Sequence, residues 1–180
     1  MATPPDFTNG TALDASSLDK IGLWRVTRVT IGNAVASVTV SNCFSADFDN
    51  YKILVNGGTA SANNNLIMTL NGAATGYYGA LIYGLSTGTA PLLAAVNNAA
   101  SWPFMGYHTT GSGIITAIEL LGPNLAKQTV ISSVYYNTGG NGTFTGTLDN
   151  TTQHTGFTLT PTTGTLTGGT ITVYGYNNMA

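Results

Sequence analysis

The chain has 180 residues, enough for one domain with a full hydrophobic core or one domain plus a short terminal arm. Charged residues make up 7% of it, against roughly 25% in an average globular protein, and the formal net charge is -2. The basic residues are Lys20, Arg25, Arg28, Lys52 and Lys127, and only Arg25 and Arg28 stand close together, so no cluster exists to neutralise phosphates and nucleic acid is excluded as an expected partner.

Residues 1–22 read as an arm followed by a short helix. Pro4-Pro5 starts the arm extended and Asn9-Gly10 turns it. Residues 14–21 then make one to two helical turns, capped by Asp14 and ended by Gly22. So short a helix is marginal alone and must pack on something. Phe7, Leu13, Leu18, Ile21 and the following Trp24 are therefore the expected docking or oligomer interface. The opening has no basic n-region and no apolar h-region, and the chain has no run of about 18 apolar residues, so synthesis in the cytoplasm without secretion or membrane insertion is expected.

From Leu23 onward the hydrophobic period is two. Residues 23–31 and 35–40, either side of Gly32-Asn33, predict a hairpin. Further strands are predicted at 51–56, 66–71, 77–84, 113–121, 129–137, 142–149, 156–160 and 169–176, separated by turns such as Asn71-Gly72 and Gly139-Gly140. About ten short strands without a long amphipathic helix indicate an all-β, antiparallel β-sandwich of jelly-roll type over residues 23–180. Cys43 is the single cysteine, which rules out an intrachain disulfide, and it is expected as a small buried hydrophobe. The connection 86–112 is too long for a featureless loop and leaves room for a further strand. It carries Trp102, Phe104, Tyr107 and His108, the candidate ligand or partner loop, since flat rings stack on sugars or fill a protein interface.

Catalytic and metal chemistry are poorly supplied. His108 and His154 are the only histidines, each expected at a turn or on the surface, and no short-spaced ligand set includes them, so no metal or cofactor is expected. Sugar hydrolysis needs paired carboxylates. Glu119 is the only glutamate, placed by alternation on the outer face of its strand, and Asp149 stands in a turn. Asp47 and Asp49 lack the spacing and glycine of a calcium loop and fit an Asx turn better. Gly84-Leu85-Ser86-Thr87-Gly88 matches a nucleophile elbow, but no helix pattern follows it, so Ser86 reads as a turn residue. No enzyme activity is expected.

A surface with so little Lys and Glu lacks the usual guards against association, which makes permanent assembly the natural expectation. The opening stretch 7–22 resembles the N-terminal segment of tail and tail-fibre proteins of tailed phages. Further phrases typical of such virion proteins are Phe44-Ser45-Ala46-Asp47-Phe48-Asp49-Asn50-Tyr51, Thr75-Gly76-Tyr77-Tyr78, Gly156-Phe157-Thr158-Leu159 and Gly169-Thr170-Ile171-Thr172-Val173-Tyr174-Gly175-Tyr176. The resemblance implies a non-enzymatic sandwich domain of the virion, in a homotrimeric or ring-like part. Its partners would be other virion proteins, itself, and a host-surface glycan or protein. With no shaft, heptads or repeats, it would be a short fibre or tip, with a capsid decoration protein and a free carbohydrate-binding module as the competing expectations.

Overall fold

The computed structural model describes residues 22–85, 87–88, 90–137 and 140–177, the side chains of Tyr135 and Asn137 excepted. The expected helix and its docking residues Phe7, Leu13, Leu18 and Ile21 lie outside the described residues, as does Ser86. Among the described residues the fold is all-β. The strands are β1 (Leu23–Thr30), β2 (Val38–Val40), β3 (Asn50–Ala60), β4 (Asn64–Leu70), β5 (Tyr77–Leu85), β6 (Leu92–Ala99), β7 (Tyr107–His108), β8 (Gly113–Leu121), β9 (Thr129–Asn137), β10 (Gly140–Leu148), β11 (Phe157–Pro161), β12 (Leu166–Thr167) and β13 (Thr170–Tyr176).

Alternation builds two walls around one core. The large sheet runs β1-β13-β3-β8-β9-β10-β5-β6, with β12 also on β3, and the small sheet runs β2-β11-β4-β7. All strand pairs are antiparallel. Every second residue points inward: Tyr51, Ile53 and Val55 on β3, Ile114, Ile118 and Leu120 on β8, and Ile171 and Val173 on β13. The small sheet contributes Val38, Val40, Leu66, Met68, Leu70, Phe157 and Leu159. Each such buried side chain contributes about 1.5–3 kcal/mol. The half-exposed Lys52–Glu119 pair at 2.6 Å is worth about 0–1 kcal/mol, so apolar burial and not charge pairing holds this fold.

The predicted hairpin of the first two strands does not form. β1 pairs with β13 in the large sheet, whereas β2 pairs with β11 in the small one. Between them the chain changes walls, tied by Val35 N–H to Leu166 O and Leu166 N–H to Val35 O, both at 2.9 Å. Val29 and Ile31 on one side, and Val38 and Val40 on the other, must reach the same interior from opposite walls. Hydrophobic alternation sets which residues point inward and is silent on which sheet carries them.

The long connection contains β6, which joins β5, and then a strap that borders the small sheet. Trp102 exchanges both backbone hydrogen bonds with Met68, at 2.9 and 3.0 Å, and Met105 N–H and Gly106 O bond Leu66. The strap thereby roofs β9, β10 and β5. Trp102 packs edge-on against Tyr77 with centroids 4.8 Å apart, and Phe104 meets Phe144 at 6.0 Å. The Trp102 Nε1–H lies 3.2 Å from Tyr78 O and 3.3 Å from Thr147 O. Two buried hydroxyls fasten the strap to the large sheet: Ser133 donates to Phe104 O at 3.2 Å, and Thr116 lies 2.5 Å from Met105 O.

Candidate interaction surface

The two sheets present different outer faces. On the small sheet that face is hydroxyl-rich: Thr39 and Thr158 share a 2.9 Å hydrogen bond, with Thr69 paired beside Thr158. On the large sheet apolar side chains stand exposed among polar ones, with Ile82 56%, Leu93 76%, Ile115 63%, Val130 41%, Val134 55% and Tyr136 47% exposed and the outward threonines of β10, Thr143 and Thr145, between them. Eight strands about 4.8 Å apart and some 28 Å long give a face of about 1,000 Å². That compares with the about 800 Å² that one partner contributes to a standard interface.

One cross-strand row shows how this face is ordered. Reading across all eight strands, Arg25 stands opposite Tyr174, then come Lys52, Glu119, Ser132, Thr145, Ala80 and Ala95. Glu119 takes Lys52 on one oxygen and a 2.5 Å hydrogen bond from the Tyr176 hydroxyl on the other. Burial, the hydrogen bond and the carboxylate charge together push the Tyr176 phenol up to about 12, so it remains a donor. Within this triad the Lys52 and Glu119 charges cancel on the outer face. Arg25 and Arg28, of opposite parity in a regular strand, both reach the outer face because the register slips between Arg25 and Thr27.

Next to the triad the sheet opens. The β8–β9 ladder ends at Ile118 and Ser133, and beyond it the Thr116 hydroxyl lies 3.0 Å from Val134 O. A depression of about 380 Å³ results, lined by Leu54, Asn56, Ile115, Ala117, Val134 and Tyr136. It contains no carboxylate, imidazole or thiol, so its chemistry is apolar contact.

The residues singled out in the sequence are dispersed. Trp24 sits 39% exposed on the edge strand β1. The loop expected to carry recognition aromatics is instead the strap: Trp102 is fully buried and Phe104 and Tyr107 are half-buried, because the inner face of β9, β10 and β5 needs them as its cover. The histidines, expected at turns or on the surface, are both buried. His154 Nδ1 lies 2.7 Å from Asn71 O, and the Asn71 side chain in turn accepts the Thr155 and Gly156 N–H groups, so this imidazole locks two loops together. His108 is 2% exposed, neither of its nitrogens has a partner among the described residues, and burial lowers its pKa to about 4. Cys43 is buried as expected, its thiol pushed up to about 12 by desolvation. The Ser45 hydroxyl donates to Asp47 at 2.9 Å and accepts the Asp47 N–H at 3.3 Å, so the turn here is made by the serine and not by the Asx side chain expected. Among the described residues no three His, Cys, Asp or Glu side chains gather into a metal-sized group. Sequence reading missed the outer face itself. Its signal was present in Ile115, Val130, Val134 and Ile82, apolar residues on the parity where a solvent-facing strand carries polar ones.

No family model, no curated protein and no solved structure matches the chain.

Proposed function

We propose that this chain is a non-enzymatic structural subunit of a tailed-phage particle, a short tail fibre or other tail part, that works by assembling with copies of itself and with neighbouring virion proteins. The observation that carries assembly is the set of exposed apolar side chains on the outer face of the large sheet, a face about the size of one side of a standard interface whose Lys52–Glu119 charges cancel. Its place in a phage rests on the sequence phrases that resemble tail proteins, and the same resemblance implies a homotrimer.

Strand order supports reading the body as a jelly roll. The segments β1-β13-β3-β8 and β2-β11-β4-β7 are the two four-stranded sheets that the double Greek key of such a fold generates. Apart from the short β12, which pairs with β3, the remaining strands are two insertions, the hairpins β5–β6 and β9–β10, which extend one sheet. Burial of Trp102 weighs against a free carbohydrate-binding module, since it removes the best stacking platform. Glu119 is occupied by Lys52 and Tyr176, Asp47 by its turn and Asp149 by Gln128, an arrangement that favours a structural over a hydrolytic role.

The test is imaging of intact particles with a label on this chain, together with the native mass of the purified protein. Density on the tail and a native mass that is a multiple of three chains are expected. Label spread over the shell in hundreds of copies would replace the tail role by capsid decoration, and a monomer absent from every particle would overturn the proposal.

A further inference from the structure

The large sheet has one defended edge and one undefended edge. β1 carries Arg25 and Arg28 on the outer face and a register slip between Arg25 and Thr27, and both charges and bulges discourage a further strand. β6 opens with Leu92-Leu93-Ala94-Ala95-Val96, where Leu92 is 40% and Leu93 76% exposed. Its own irregularity comes only afterwards, where Asn98 takes a φ of 47° and the pairing with β5 slips between Tyr77 and Gly79. Charge is missing well beyond the edge: β5, β6, β9 and β10 contain none, and all the charged side chains of the large sheet are on β1, β3 and β8. Seven of the eleven exposed large hydrophobics among the described residues lie on those four uncharged strands.

We infer that a second copy of this chain adds at β6, strand to strand and antiparallel, so that two large sheets run on as one across a two-fold axis. The inference rests on the assembly reading above and names its partner and place. Free backbone N–H and C=O groups along Leu92–Val96 supply the pairing, and Leu93 of one copy lies beside Ala95 of the other on the outer face. The uncharged edge selects the occupant. A partner bringing an unpaired charge would have to desolvate it against Leu92 and Leu93, whereas a second β6 brings none. Pairing β6 with the β1 of a neighbour would set Arg25 or Arg28 beside this apolar edge and generate a head-to-tail series, while β6 on β6 is self-complementary and closes. A contact of this kind doubles whatever unit the outer face builds.

The decisive experiment is the native mass of the full chain beside that of a Leu93→Lys/Ala95→Lys double variant, with circular dichroism to show that both are folded. Both side chains are exposed, so the fold tolerates lysine there. The variant is expected to show half the mass of the unmodified protein. An unchanged mass, or an unmodified chain that is monomeric at every concentration, overturns the inference. Hydrogen exchange on the unmodified chain gives a second readout: those amides of residues 92–96 that point away from β5 should be protected in concentrated solution and lose protection on dilution, and concentration-independent exchange overturns the contact. A chain seated on the tail with unprotected β6 amides would sink only this contact. Protected β6 amides in a chain absent from particles would sink only the phage assignment.

Discussion

His108 illustrates how a single buried group sets a pH limit. In the unfolded chain its imidazole titrates near 6.5, whereas burial lowers the folded value to about 4. As pH falls from 6.5 the unfolded chain binds a proton that the native one refuses. Stability is therefore complete above 6.5 and declines towards pH 4, by about 3 kcal/mol over the interval. Urea titrations through this range should show that decline, and His108→Phe should remove its share of it; a variant with the same pH slope as the parent would show that His108 is not responsible. The two tryptophans give a second contrast. Trp102→Ala should cost about 3–5 kcal/mol, because it empties the roof over Tyr77 and leaves two carbonyls without their donor, while Trp24→Ala at the exposed edge should cost under about 1 kcal/mol. Denaturant midpoints of the two variants check this directly.

At the scale of elements, the end of β3 depends on two glycine pairs whose backbones touch. β12 and β13 both pair with β3, and the turn between them, Gly168-Gly169, faces Gly57-Gly58, where the β3–β8 register slips. Gly58 has a φ of 75°, and a Cβ there would lie 2.1 Å from Gly168 O. Neither backbone can yield without breaking a ladder. Gly58→Ala should thus cost about 3 kcal/mol or more or abolish folding, whereas Gly72→Ala, with open space around a similar φ of 84°, should cost about 1–2 kcal/mol. Thermal melting of the pair separates crowding from backbone strain. Most of these elements were legible in the sequence: strands 113–121 and 129–137 fall where alternation placed them. β6 was legible only as room for a strand, because Leu92 to Val96 is an unbroken apolar run that carries no period.

For the whole molecule, the outer face of the large sheet is where assembly should be sensitive and stability should not. Ile115→Lys and Val134→Lys both fall on exposed positions beside the central depression. Each should change folding stability by no more than about 0.5 kcal/mol while reducing native mass. A variant that unfolds would mean the face is held from within, and one that keeps its full mass would mean the face is not an interface. No long apolar helix capable of crossing a membrane occurs among the described residues.

The sequence alone determined the all-β class, most strand positions, the inward-facing residues and the scarcity of charge, because each of these is written in local periodicity and composition. It also placed Cys43 in the interior and Glu119 on the outer face. Tertiary structure decided what local pattern leaves open. It sent β1 and β2 to opposite sheets, turned the aromatic loop into an internal roof, buried both histidines, and brought Lys52, Glu119 and Tyr176 together from three strands. It also decided that β6 ends the sheet on its uncharged side. The physical reason is that alternation gives each side chain a direction, while the wall it belongs to and the neighbour it meets depend on pairings between strands far apart in the chain.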